Sequence, residues 1–218
     1  SSTSQYPVRS DWVSVSDEDS VRQAAVTLNR YASLLARVHG WLQLADSPAG
    51  ASNATYYSLA LIPATGGSPI VSNTLLRQND VLKIGLQANG RVREKRWVYI
   101  LDINCQGKGT VIYPGGNSDN QFPNESDTGS LFVLPGEPEI GISPPFGVDT
   151  LIMLSTAQPL SDQYVLNFEG VARSRGAQSP LEQLLSNTSA GMRGDPAQLP
   201  TNWNIGFTTI RSVPLPNP

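Results

Sequence analysis

Apolar and polar residues alternate along Val81-Leu82-Lys83-Ile84-Gly85-Leu86 and again along Trp97-Val98-Tyr99-Ile100-Leu101-Asp102-Ile103. A period of two gathers every second side chain on one face, so each segment predicts a β-strand with a buried face. The second run continues through a polar turn at Asn104 to Gly109 into a returning apolar run that ends at Pro114. That order of strand, tight connection and strand predicts an antiparallel pair. Strands are predicted at Tyr56 to Ile62, Val81 to Ala88, Arg96 to Asn104, Thr110 to Tyr113, Leu131 to Leu134 and Thr150 to Ser155. Clusters rich in Gly, Pro, Asn and Asp, such as residues 114–120 and 143–147, separate them as turns.

A different period governs the start of the chain. Val21, Ala25, Leu28, Ala32, Leu35, His39 and Leu42 recur at steps of four and three, which predicts one amphipathic helix over residues 16–47. Ser16 is read as its N-cap, and Asp17, Glu18 and Asp19 sit where the positive end of the helix dipole favours acids. A helix of that length needs a partner for its stripe, either the sheet or a neighbouring domain. Residues 1–15 are read as an extension preceding it. From residue 173 the composition turns to Ser, Gly, Gln and Asn, which predicts a mobile segment to residue 202, interrupted by a short helix at Pro180 to Leu185. Residues 203–213 regain strand character and are expected to return to the sheet before Pro214 stops them.

The fold class that follows is mainly β, of the α+β type: an antiparallel sandwich over residues 56–172 with one long N-terminal helix packed on it. Strands do not alternate regularly with helices, which argues against a doubly wound parallel fold. The composition agrees, because 19 Gly and 17 Pro in 218 residues, with charged residues at 15%, favour turns over long surface helices. Net charge is −3 and the basic residues are scattered outside one cluster, so a nucleic-acid partner is not expected. No window approaches about 18 consecutive apolar residues, so no membrane insertion is expected. The opening SSTSQYPVRSD has no initiator Met or apolar signal core, as in a mature form or an excised fragment. The compartment, whether periplasmic, secreted or cytoplasmic, stays open. Sequons at Asn53, Asn124 and Asn187 read as chance occurrences in polar loops.

Candidate chemistry is sparse. Cys105 and His39 are the single cysteine and single histidine, so they are the sole possible Cys–His pair, but one sits in a predicted turn and the other on a distant helix. No G-x-S-x-G elbow occurs, and Gly66-Gly67 and Gly107-Lys108-Gly109 lack the strand–loop–helix context of a phosphate cradle. No catalytic residue and no cofactor is therefore assigned. Asn117, Asp119 and Asp127, with Asn120 and Glu125, offer oxygen ligands to a hard cation such as calcium, though their spacing is not that of an EF-hand. Arg91, Arg93, Lys95 and Arg96 beside Trp97 form a candidate basic and aromatic interaction patch. Trp12, Trp41, Trp97 and Trp203 read first as core residues and second as sugar-stacking platforms.

Three motifs follow one another in order: LLRQNDVLKIGLQANG, WVYILDINCQGKGTVIYPGG with NSDNQ, and ISPPFGVDTLIMLSTAQPL. This order resembles the accessory domain of unknown function that follows the peptidase domain in many bacterial caspase-like proteins. The matching positions are Asn79-Asp80-Val81, Tyr99 to Lys108, Tyr113-Pro114, and Pro144-Pro145-Phe146-Gly147 leading into Leu151-Ile152-Met153. The resemblance covers about two-fifths of the chain, from Leu75 to Leu160, and departs at Gly115-Gly116 and Cys105. It implies a non-catalytic module that recognises a partner or substrate, or controls the peptidase, and it carries over no catalytic residue. A glycan- or polymer-binding β module at the periplasm or surface, and a calcium-stabilised structural module, are the alternatives.

Overall fold

The computed structural model describes residues 15–46, 57–88, 95–115, 119–122, 131–136, 138–161, 163–166, 180–189 and 203–215. Along the chain run α1 (Glu18–Asp46), β1 (Tyr57–Pro63), β2 (Leu75–Arg77), β3 (Val81–Ala88), β4 (Arg96–Ile103) and β5 (Gly109–Tyr113). They are followed by β6 (Gln121–Phe122), β7 (Leu131–Val133), β8 (Glu139–Gly141), β9 (Val148–Thr156), a 3-10 turn (Gln163–Leu166), α2 (Pro180–Ser189) and β10 (Trp203–Val213). The strands form two sheets. The smaller has the order β1-β3-β7, with β8 also on β3; the larger has the order β2-β10-β9-β4-β5, with β6 also on β4. All pairings are antiparallel except that of β2 with β10.

The larger sheet is a wall between two cores. Val98 and Ile100 of β4, Leu151 and Met153 of β9 and Ile210 of β10 pack with Tyr57, Leu61, Leu82, Ile84 and Leu86 of the smaller sheet. The alternate residues, Tyr99, Leu101, Ile103, Ile152, Leu154, Trp203 and Ile205, pack on the opposite side with Val38, Trp41 and Leu44 of α1 and Leu184 and Leu185 of α2. This corrects the reading of Trp97 to Ile103 as a strand with one buried face: both faces of β4 are covered, and a central strand so placed is apolar at nearly every position, as β4 is apart from Asp102 and as β9 is from Leu151 to Leu154. The molecule is thus a sandwich with a helix layer on its outer side.

The predicted strands hold to within a few residues, and the C-terminal strand lies inside the sheet, between β2 and β9. β2, β6 and β8 were not predicted; they are two or three residues long. The predicted extension, apart from Val15, and most of residues 173–202 lie outside the described residues, whereas α2 forms within that segment and buries Leu184 and Leu185.

Two details of α1 correct the sequence reading. The N-cap is Asp17, not Ser16: the Ser20 N–H donates to Asp17 Oδ1 (2.8 Å), and Ser20 Oγ accepts from the Asp17 N–H (2.9 Å). These reciprocal bonds are a capping box with serine in the usual place of Glu, and they hold the Asp17 carboxyl below the ordinary carboxylate range. The core-facing stripe is also rotated by one residue. Ala24, Val38, Trp41 and Leu44 are buried, whereas Val21, Leu28 and Leu35 of the predicted stripe are 51%, 62% and 40% exposed. One residue is about 100° around the cylinder, enough to move a whole stripe from sheet to solvent. Where α2 crosses α1, Gly40 leaves room for Thr188, whose methyl would lie 3.1 Å from a Cβ at that position.

Candidate functional site

The structure separates the candidates picked from the sequence. Cys105 lies in the turn between β4 and β5, and it is buried. Its N–H donates to Asp149 Oδ1 (2.7 Å) and its thiol to the Pro145 carbonyl (3.4 Å). Burial, followed by the nearby Asp149 charge, pushes this thiol up, away from the thiolate that a nucleophile requires. His39 is exposed on α1 and is not among these partners.

Of the basic and aromatic patch, Arg91 and Arg93 lie outside the described residues. Lys95 is exposed, Arg96 is buried, and Trp97 packs against the helix-side core. Consecutive strand residues point to opposite faces, so Arg96 and Trp97 cannot share one surface. Asn117 and Asp127 lie outside the described residues, as does Glu125. Asp119 is engaged locally: its Oδ1 accepts from the Gln121 N–H (3.0 Å) and its carbonyl accepts from the Tyr113 hydroxyl (2.7 Å). Asn120 is taken up by β4, donating from its side chain to the Val98 carbonyl (3.0 Å). Among the described residues no group of three or more His, Cys, Asp and Glu side chains is arranged to hold a metal.

The motifs that carry the family resemblance prove to be turn chemistry. Asn79 adopts a φ of 73°, in the left-handed region that asparagine tolerates. Beside it the Asp80 carboxylate accepts from the Arg77 N–H (2.7 Å). The Pro144–Gly147 corner is tied at both ends: Pro145 accepts the Cys105 thiol, and Gly147 exchanges bonds with Ser212 of β10. Gly147 is required there, because a Cβ would stand 2.6 Å from the Cβ of Cys105.

Two features outside the predicted site residues are chemically unusual. The first is an acid pair at one end of the sandwich. Asp102 of β4 and Asp149 of β9 fall on the sandwich-facing side of neighbouring strands, and Asp102 Oδ1 is buried with no hydrogen-bond partner. Burial, followed by the charge of Asp149, raises the Asp102 pKa to about 7; burial likewise raises that of Asp149, against the opposing bond from Cys105. An aspartate inside an otherwise apolar strand was the available signal. The second is the exposed aliphatic stripe of α1. Val21, Ala25, Leu28, Ala32 and Leu35 are all exposed, whereas Val38, Trp41 and Leu44 toward the C-terminal end join the helix-side cluster and Leu42 packs against it.

A buried carboxyl network ties the connection after β9 to α2. The Ser161 N–H and hydroxyl both donate to Glu182 Oε1 (2.5 and 2.6 Å), and the Leu160 N–H donates to the Tyr99 hydroxyl (2.8 Å). Its role is to seat α2 on the sheet. No helix among the described residues is long and apolar enough to cross a membrane. Compared with protein-family models and with curated proteins, the chain matches neither.

Proposed function

We propose that this chain is a non-catalytic interaction domain of a bacterial caspase-like protein, used to recognise a protein partner or substrate or to control the peptidase. The observation that carries this reading is the character of the exposed apolar surface. Large exposed apolar side chains are chiefly aliphatic: Val21, Leu28 and Leu35 on α1, with Val81, Leu131 and Val133 on the outer side of the smaller sheet. Exposed aliphatic side chains on a folded domain suit contact with another protein, and here they stand on two faces, α1 on one side of the larger sheet and the smaller sheet on the other. Sugar binding calls for exposed aromatic faces, yet Trp41, Trp203, Tyr57, Tyr99 and Tyr113 are buried. The link to caspase-like proteins rests on the ordered turn motifs alone.

Affinity capture from the source cells tests the reading, using the full chain beside a Leu28→Lys/Leu35→Lys variant, with each captured protein then purified and its binding measured directly. The expected result is a protein whose affinity drops with the double substitution. Capture of polysaccharide in place of protein, or hydrolase activity abolished by Cys105→Ala, would overturn it.

A further inference from the structure

We propose that one end of the sandwich is a pH-sensitive latch, closed while Asp102 holds its proton and opened locally, with the Cys105 thiol uncovered, when Asp102 is charged. Its parts are Asp102, Asp149, the turn from Asn104 to Gly109 and the corner from Pro144 to Gly147. The strand register brings the two carboxyls onto one face: Asp102 of β4 stands opposite Leu151 of β9, and Asp149 lies two residues along β9 from Leu151. β4 leads directly into the turn, where the Cys105 N–H donates to Asp149 Oδ1 and the thiol to the Pro145 carbonyl. The corner is held from behind by β10, since the Gly147 N–H donates to Ser212 Oγ (3.0 Å) and the Gly147 carbonyl accepts from the Ser212 N–H (2.8 Å). Turn and corner thus meet at Cys105, and one of their ties ends on the acid pair itself.

The two acids are not equivalent. Asp149 has a donor for its charged form in the Cys105 N–H, whereas Asp102 Oδ1 is buried without a partner. Charging Asp102 sets a second carboxylate beside the first and gives its buried oxygen no donor, and admitting water relieves both costs. The other titratable side chains of the surrounding elements are exposed, turned away or engaged. Lys108 is exposed in the turn, Arg211 of β10 alternates with Ile210 and so points to the helix side, and Lys83 and Glu139 face each other on the outer side of the smaller sheet. Asp80 accepts from the Arg77 N–H, and the Tyr113 hydroxyl of β5 donates to the Asp119 carbonyl. Cys105 stays a thiol, because burial and the Asp149 charge push it up.

Opening returns Asp102 to water, where its ordinary value is 3.8, from a closed value of about 7. The open form therefore binds fewer protons between these pH values, so its share rises about tenfold per pH unit there and levels off above 7. The break is local because the parts that must move are thin. Gln106, Lys108, Pro144 and Pro145 are exposed, whereas Ile100, Leu101, Leu151 and Ile152 of β4 and β9 are fully buried. Segments with few buried contacts open at lower free energy than the core.

Hydrogen exchange at the Cys105 amide of the 218-residue chain, followed by NMR from about pH 5 to 8 and expressed as a protection factor, tests the latch. Protection should fall about 50-fold between pH 5 and 7, change less than about threefold from pH 7 to 8, and stay well below that of Ile152 and Leu154 throughout. In Asp102→Asn it should change less than about fivefold over the whole range. Labelling of Cys105, the single cysteine, by neutral iodoacetamide gives an independent reading. Removing the Asp102 charge lowers the thiol pKa and by that effect alone speeds the variant, whereas the latch has the wild type labelled about tenfold faster at pH 8. A wild-type protection factor that is flat from pH 5 to 7, Cys105 protection equal to that of Ile152, or labelling of Asp102→Asn as fast as wild type each overturns the proposal. The first two are read on the wild type, so they decide the matter even if Asp102→Asn does not fold.

Discussion

The α1 stripe and the acid pair break the usual division of apolar inside and charged outside in opposite senses. On α1, Val21, Leu28 and Leu35 stand in solvent; between the sheets, Asp102 is largely buried with an unpartnered oxygen. The exposed stripe costs the folded chain little, because exposed apolar groups merely forgo burial. A buried carboxyl without a partner carries a desolvation cost, which it relieves by holding a proton. The first departure is therefore felt in association and the second in stability, and substitutions can tell them apart.

A residue that obeys the division supplies the benchmark. Trp41 is fully buried beneath α1, so Trp41→Ala should cost about 3–5 kcal/mol in urea unfolding. A loss below about 1 kcal/mol would show that the helix layer is not a true core. Next comes the corner that closes over the acid pair. Gly147→Ala forces a Cβ against Cys105 and should cost about 1–3 kcal/mol, read as a lowered urea midpoint with unchanged slope.

Asp102→Asn should act with the opposite sign. The folded chain holds the Asp102 proton up to about pH 7, against an ordinary value of 3.8, so between those pH values the unfolded state binds fewer protons than the folded one. Wild-type stability from this group is full below pH 3.8, falls as pH rises through 7 and is flat above. The asparagine variant lacks that decline and should be more stable at pH 8, on the order of 1–2 kcal/mol, with the gap closing toward pH 4. Equal stability of the two proteins at pH 8 would mean that the site is relieved by some other group. Leu28→Lys sits at the bottom of the scale, changing unfolding free energy by less than about 0.5 kcal/mol while altering association.

The strands were legible because the wall between two cores imposes its pattern on the sequence. β3 and β10 have the bounds that alternation and punctuation predict, and β4 and β9 differ from them by one or two residues. β2, β6 and β8 carry no local period, since two or three residues paired by tertiary contact are too short to show one. α1 misled for a different reason. It holds two interleaved apolar sets one residue apart, and the large Trp41 decides which one faces the sheet. Asp102 was visible as a charge in an apolar run, but pairing it with Asp149 requires the register of β4 on β9.

β10 carries a consequence for the chain as it is made. This last strand lies between β2 and β9, pairs with β9 over nine positions and gives Trp203 and Ile205 to one core and Ile210 to the other. Until its residues have left the ribosome, the nascent sheet has an open edge along β9 and neither core can close. From the emergence of β1 to that of β10, therefore, the unpaired edge and the two unfinished cores are open to chaperones and to aggregation.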